Sequence, residues 1–379
     1  MKVLQTVVRP SANQALDFSA LCAIEPNLVL AFGSVAALQH GAAGIAAAFP
    51  NAKRSGCSTA GEISAQGVEE GTLVVTALHF DRTRVAQVST VLANMEDSFA
   101  AGRRLATALP VVGLRAILIF GQGVQINGSA VLSGMVDIVG SHVPITGGLA
   151  GDGGAFAQTW VLDSTGVSSN RLTCIGLYGE ALQFSHGSFG GWSPFGPARK
   201  VTRCDNNVLF ELDGESALAV YKRYLGAHAE GLPASGLLFP FSMLGKDHNE
   251  VGLIRTILGV DEAVGSLTLA GNIDPDGYLR LMHASTDALV DGAEAAAQAA
   301  KTMLTNTGEG LALLVSCVGR KLVMGGRVDE EVEAVGAVFG PSATLAGFYS
   351  YGEISPFSPS VECKLHNQTM AVTYISEAA

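Results

Sequence analysis

Residues 56–64 read Gly-Cys-Ser-Thr-Ala-Gly-Glu-Ile-Ser, and residues 347–355 read Gly-Phe-Tyr-Ser-Tyr-Gly-Glu-Ile-Ser. A shorter related stretch, Gly-Gly-Leu-Ala-Gly-Asp, lies between them at 147–152. Each copy follows segments with strand and helix patterns, and another strand-like segment comes after it. Self-similarity of this kind indicates that one supersecondary unit occurs three times, so the fold follows from the unit.

The repeated unit is clearest in the last third of the chain. There the patterns predict, in order, a strand, a helix, a strand, a helix, a strand and a closing strand, over residues 278–284, 287–304, 311–317, 329–339, 343–348 and 368–373. Residues 3–76 and 84–162 give the same order, with a first helix predicted over 13–22. A threonine recurs at one place in the closing strands, at Thr72, Thr159 and Thr369.

The predicted class is α/β, with repeated β-α-β-α-β-β units forming two mixed-sheet domains with helices on the faces. Residues 165–275 break the repeat and show several strand patterns with one helix over 215–226. Proline and glycine crowd residues 191–197, which is typical of a boundary. We therefore expect an N-terminal domain of two repeats at 1–190, and a C-terminal domain of antiparallel strands plus one repeat at 191–379.

Composition narrows the function classes. The 379 residues are 48% hydrophobic and 15% charged, with a formal net charge of −11 and no run of Lys or Arg. A direct nucleic-acid ligand is disfavoured because phosphate binding needs a basic face. No apolar run approaches the ~20 residues that cross a bilayer, and no secretory signal is visible at the N-terminus. Six cysteines without a Cys-x-x-Cys pair favour a reducing compartment. We expect a cytoplasmic protein without membrane insertion.

The ordered motifs resemble the FIST sensory proteins. The matching stretches are the Gly-Cys-Ser-Thr-Ala-Gly-Glu-Ile motif, residues 147–153 with Thr159, Gly-Trp-x-Pro-x-Gly-Pro from 191, Tyr-Gly-Glu-Ile from 351 and His-Asn-Gln-Thr from 366. The resemblance spans nearly the whole chain and implies intracellular small-ligand sensing that feeds a signalling output. A haem-binding, nitric-oxide-sensing branch of stand-alone FIST proteins is similar in length and organisation. Its members work with a separate histidine kinase, as in a two-component system.

The acids of the repeated turn have two interpretations. Such a turn can present amides and a carboxylate to a polar ligand, or Glu62, Asp152 and Glu353 can simply accept hydrogen bonds from turn amides. A ligand role is most favoured for Glu353, because Tyr349 and Tyr351 flank it. Asn367 joins these candidates through the His-Asn-Gln-Thr segment.

Arg255 stands alone among apolar residues. It either forms an ion pair with a buried acid or binds a ligand carboxylate bidentately, and the ion pair is slightly preferred.

Three histidines are candidate axial ligands of haem iron, as alternatives to one another: His366, His248 and His186. A single axial ligand leaves no spacing signature, and the simpler interpretation of each is a surface or hydrogen-bonded histidine. No metal-ligand spacing supports a zinc site.

The leading functional expectation is a sensor that binds haem, responds to nitric oxide and acts on a histidine kinase or another signalling partner. One alternative is a FIST module that binds an amino acid or similar metabolite without haem, with Glu353 on the ammonium and Arg255 on the carboxylate. A third is an enzyme that uses Cys57, against which the missing base argues. The sequence thus predicts a non-enzymatic protein, and leaves a homodimer open.

Overall fold

The computed structural model describes residues 1–11, 16–304, 308–357 and 362–378. The strands are β1 (Lys2–Val8), β2 (Leu28–Gly33), β3 (Lys53–Ser58), β4 (Glu62–Ser64), β5 (Gly67–Glu69), β6 (Leu73–His79), β7 (Arg84–Val91), β8 (Leu114–Gly121), β9 (Ile145–Leu149), β10 (Val161–Asp163), β11 (Gly166–Ser168), β12 (Arg171–Tyr178), β13 (Leu182–Phe189), β14 (Ser193–Asp205), β15 (Val208–Leu212), β16 (Glu215–Ser216), β17 (Phe241–Leu244), β18 (Glu250–Arg255), β19 (Ile257–Asp261), β20 (Ser266–Leu269), β21 (Tyr278–His283), β22 (Gly310–Cys317), β23 (Ala343–Ser350), β24 (Gly352–Pro356), β25 (Cys363–His366) and β26 (Met370–Glu377).

The helices are α1 (Val35–Ala48), α2 (Ser98–Ala108), α3 (Gly128–Val139), α4 (Ala217–Leu225), α5 (Thr286–Thr302), α6 (Val318–Met324) and α7 (Asp329–Phe339). Short 3-10 helices cover Ser19–Ile24, Gly226–Gly231, Ala234–Leu238 and Gly325–Arg327. The first residues of the helix predicted over 13–22 lie outside the described residues, and its last residues fall in the first of these 3-10 helices. Hydroxyl and amide side chains cap the longer helices, as Ser285 Oγ does by accepting from Ala288 N at 3.2 Å.

Three six-stranded sheets share one arrangement. In each, two parallel strands are joined by a helical crossover, and two further strands continue the sheet antiparallel. The parallel pairs are β2 with β3, β8 with β9 and β22 with β23. Residues of β2, β8 and β22 are almost wholly buried because both sheet faces are covered, which explains their continuous apolar runs. The predicted α/β class of repeated units is confirmed.

The three sheets are linked by a cyclic exchange of hairpins. The hairpin β4–β5 pairs with β23, the hairpin β10–β11 pairs with β3, and the hairpin β24–β25 pairs with β9. Each unit therefore completes the sheet of another unit. Phe32, Phe120 and Phe348 meet in the core between the sheets, with ring centroids 4.8–6.1 Å apart.

The third unit differs from the sequence prediction in its first strand. β21, predicted to open this unit, pairs instead with β14 and β17 in a separate eight-stranded sheet. The first strand of the unit is β13, which pairs with β26 as β1 pairs with β6. The prediction was wrong because residues 190–284 are inserted between this strand and α5. The predicted division at residue 190 falls within this unit, and stays a prediction.

Candidate functional site

The repeated turn requires glycine at its first position. A Cβ atom on Gly56, Gly147 or Gly347 would lie 1.8, 2.0 or 1.8 Å from a backbone oxygen of the neighbouring parallel strand. The oxygen belongs to Ala31, Ile119 and Leu314 respectively. Since backbone cannot move aside as a side chain can, these glycines are explained by packing alone.

Two of the three turn acids hold their own unit together. Glu62 accepts hydrogen bonds from the backbone nitrogen and the hydroxyl of Thr72, both at 2.9 Å, and from the Thr59 hydroxyl. Glu353 accepts from Ser350 Oγ at 2.7 Å and from the nitrogen and hydroxyl of Thr369 at 3.2 and 3.0 Å. Both side chains are fully buried, so this geometry does not support the ligand role predicted for them.

The middle unit departs from this pattern. Asp152 accepts from the backbone nitrogens of residues 156, 157 and 158 at 2.8–2.9 Å, and contacts no closing strand. The register of the sheets places Arg171, not Thr159, at the position that is equivalent to Thr72 and Thr369 in the other units. The predicted threonine repeat is therefore wrong in this unit, because an additional loop separates β9 from β10. Arg171 pairs instead with Asp163 at 2.9 Å.

The two aromatic residues of the last turn have different surroundings. Tyr349 is fully buried, and its hydroxyl donates to Glu331 at 2.6 Å. Tyr351 reaches into the middle unit, where its hydroxyl donates to Asp152 and its ring stacks on Phe156 at 4.1 Å. Tyr351 and Phe156 line a cavity of about 280 Å³ beside the start of α3.

His366 is one of the residues that line a larger cavity of about 480 Å³. Its walls come from the end of β13, the loop to β14, β17, β18, β21, α5 and the segment after β24. They are mainly apolar and aromatic, with some polar residues such as Glu250; the apolar residues include Phe189, Trp192, Ile254, Met282 and Phe357. Sequence reasoning missed these wall residues, apart from Trp192 in the Gly-Trp motif, since they meet only through the insertion.

His366 is held in one tautomer. Its Nε2 lies 3.0 Å from the backbone oxygen of Ser355, which can only accept, so Nε2 carries the proton and Nδ1 keeps its lone pair. The ring stacks on Phe357 at 5.8 Å. Burial, with a smaller effect of the Arg255 charge, lowers the pKa of His366 to about 4, so the imidazole is neutral.

The other two candidate histidines do not line this cavity. His248 is exposed in the β17–β18 turn, with its ring on Tyr278 at a centroid distance of 3.9 Å. His186 is buried in β13, and its Nδ1 has no hydrogen-bond partner in the described part of the chain. By register it corresponds to Gln5 and Gln87 of the other units. Those amides donate to backbone oxygens of the neighbouring unit, which makes this an inter-sheet packing position.

In the described part of the chain, neither Arg255 nor Asn367 forms a hydrogen bond with Glu353. Arg255 lines a further cavity of about 240 Å³ and forms no ion pair with any described residue, contrary to the preferred prediction. Asn367 is buried, and its Oδ1 lacks a partner among the residues described. Since Glu353 does not line the cavity of Arg255, the predicted pairing of Glu353 and Arg255 on one amino acid is not assembled.

Two other chemistries lack support in this geometry. Cys57 is fully buried, and burial raises the pKa of its thiol well above the ordinary value, which makes it a poor nucleophile. Within the described ranges no cluster of three His, Cys, Asp or Glu residues could hold a metal ion. No helix in that part of the chain is both long and apolar enough to span a bilayer.

Comparison with known families identifies the class. The FIST N domain model matches residues 27–215 and the FIST C domain model matches residues 217–356. The chain therefore belongs to the FIST family, whose domains are associated with sensing small ligands in signal transduction. A search of curated proteins gave no match.

Two solved structures show a distant likeness. One is a cyanuric acid hydrolase from A. caulinodans, with 10% identity over all of both chains and a TM-score of 0.32. The other is a cyanuric acid hydrolase described as an evolutionary innovation by structural concatenation, with 9% identity, coverage of 99% and 100%, and a TM-score of 0.36. The prediction of a non-enzymatic protein is contradicted by these hydrolases, although a likeness this low assigns no activity to the chain.

Proposed function

We propose that this chain senses a small ligand and that the ligand is haem, bound in the His366 cavity described above. The observation that carries the proposal is a neutral, buried imidazole with a free lone pair on the wall of a mainly apolar cavity. A histidine that donates one ring N–H to a backbone carbonyl and keeps the other nitrogen free is the usual form of a metal-ligating histidine.

The residues present fit the cofactor. Nδ1 of His366 would hold the iron, and Phe189, Trp192 and Phe357 would cover the macrocycle. The cavity volume of about 480 Å³ lies within the ~300–1,000 Å³ typical of ligand and cofactor sites. When bound, haem supplies an iron coordination position that takes a diatomic gas such as nitric oxide.

We also propose that the protein works in the cytoplasm and that occupancy of the cavity is read by a separate partner, a histidine kinase or another signalling protein. Support comes from the association of FIST domains with signal transduction. The cavity has walls from both β13 and the inserted sheet, so a ligand there would contact both of these elements.

The test is a titration of purified protein with haemin, followed by the Soret absorption band. Wild type should saturate at one haem per chain, and His366→Ala should weaken binding by about tenfold or more. His248→Ala and His186→Gln are matched controls, and should bind as wild type does.

A second variant separates the cavity from the histidine. Ala299 lies on α5 and lines the cavity, as His366 does. Ala299→Trp should fill the space and weaken haem binding with His366 intact. Equal haem affinity in wild type and both variants would place the haem elsewhere or show adventitious binding.

A further inference from the structure

The Arg255 cavity, of about 240 Å³, contains a buried charge without a counter-charge. The Arg255 side chain is 4% exposed. Its Nε donates to Asn272 O at 3.1 Å, and Nη1 donates to Ile254 O at 3.1 Å and Leu365 O at 3.2 Å. Among the residues the structure describes, no carboxylate pairs with the guanidinium and Nη2 donates no hydrogen bond.

This arrangement is energetically unusual. A buried ion costs several kcal/mol unless an opposite charge compensates it. The three carbonyl oxygens orient the guanidinium but bring no negative charge. Burial lowers the pKa of Arg255 to about 10, and no neighbouring acid offsets the effect. A compensating anion from solution would remove this cost, and the guanidinium already borders a cavity.

A second donor faces the same space. Ser129, in the first turn of α3, lines the cavity together with Arg255. Gly271 lies between them, since a Cβ there would be 3.0 Å from Arg255 Nε and 3.2 Å from Ser129 Oγ. Lys364 and Glu362 also line the cavity, but they are paired with each other and their charges cancel. The net charge offered to a ligand is thus that of Arg255 alone.

We propose that the Arg255 cavity binds a small monocarboxylate through Nη2 of Arg255 and the hydroxyl of Ser129. Because Nε and Nη1 already donate to carbonyl oxygens, Nη2 would donate a charge-assisted hydrogen bond to one carboxylate oxygen and the Ser129 hydroxyl would donate to the other. One positive charge balances a monoanion, whereas a dianion such as phosphate would add excess negative charge to a chain of net charge −11. This site is separate from the His366 cavity, and is proposed independently of haem.

The probe is sodium propionate, added to the full chain without haem and compared with sodium chloride at equal ionic strength. Saturation-transfer NMR should detect binding, and the melting temperature should rise with propionate concentration. Arg255→Met and Ser129→Leu should each weaken binding by about tenfold or more, while Arg199→Met, at an ion pair elsewhere on the surface, should not change it.

Three outcomes would overturn the proposal: no propionate response in wild type, an unchanged response in Ser129→Leu and Arg255→Met, or tighter binding of inorganic phosphate than of propionate. If Arg255→Met does not fold, Ser129→Leu decides alone. His366→Ala should keep propionate binding, so the failure of one site is distinguishable from the failure of the other.

Discussion

Glu353 forms two hydrogen bonds with Thr369, because its carboxyl group accepts from both the backbone nitrogen and the hydroxyl of that residue, at 3.2 and 3.0 Å. These hydrogen bonds connect the acid of the repeated turn to the start of the closing strand of its own unit. Glu62 and Thr72 repeat the relationship at 2.9 Å in the first unit. These carboxyl groups stabilise the fold, and the binding sites that we propose are formed by side chains that border the cavities.

The buried carboxyl of Glu353 should make stability depend on pH. Burial raises its pKa to about 8, so between its ordinary value of ~4.3 and about 8 the folded state keeps a proton that the unfolded state has lost. Stability should therefore fall as pH rises through this window. Glu353→Gln cannot ionise, and its urea midpoint should fall less than that of wild type between about pH 5 and pH 9. Parallel profiles for the two proteins would refute the effect.

The ion pair between Arg320 and Glu331 should matter greatly for stability. Both side chains are fully buried, and Arg320 Nη2 lies 2.7 Å from Glu331 Oε2. Arg320→Met leaves the buried carboxylate of Glu331 without its positive partner, and should lower the free energy of unfolding by about 3–5 kcal/mol. The exposed pair Lys222–Glu262 is the control, since Lys222→Met should cost about 1 kcal/mol or less. Urea denaturation measures both, and similar small losses would contradict the expectation.

His186 should destabilise the fold in acid. Burial lowers its pKa to about 4, so between this value and the ordinary ~6.5 only the unfolded state takes up the proton. Stability should be lost as pH falls below ~6.5. His186→Gln installs the residue type of Gln5 and Gln87, and should lose less stability than wild type on acidification. Exposed His142→Gln is the control. The idea fails if both variants follow the wild-type acid profile in thermal melts.

Gly347 should tolerate no side chain. Because its Cβ would lie 1.8 Å from Leu314 O, Gly347→Ala must push two paired strands apart. We expect a loss of about 3 kcal/mol or more in the free energy of unfolding, at or beyond the upper range for overpacking. Gly326→Ala, with open space around it, should change stability little. Comparable urea midpoints for the two variants would show that the strands can move aside.

The sequence alone was sufficient for the repeated unit and the family, since strand periodicity and the Gly-x4-Gly-acid turn are local signals. It was insufficient for the exchange of hairpins, which depends on contacts such as Glu62 opposite Phe348. The first strand of the third unit was missed because the insertion separates it from α5 by about 95 residues in sequence, although the two pack together in the fold.

The same limit applies to the candidate site residues. Tyr351 and His366 border cavities, whereas Tyr349 and Glu353 are enclosed by hydrogen-bond partners that lie more than 15 residues away in sequence. The sequence also could not show that Arg255 lacks an acidic partner, because tertiary contacts decide whether an ion pair forms.

The most direct measurement of the central claim is the absorption spectrum of the protein purified from cells supplied with a haem precursor. Wild type should show a Soret band that shifts when nitric oxide is added, and His366→Ala prepared in parallel should show little or none. A wild-type spectrum without a Soret band, or an equal band in His366→Ala, would contradict haem binding at His366.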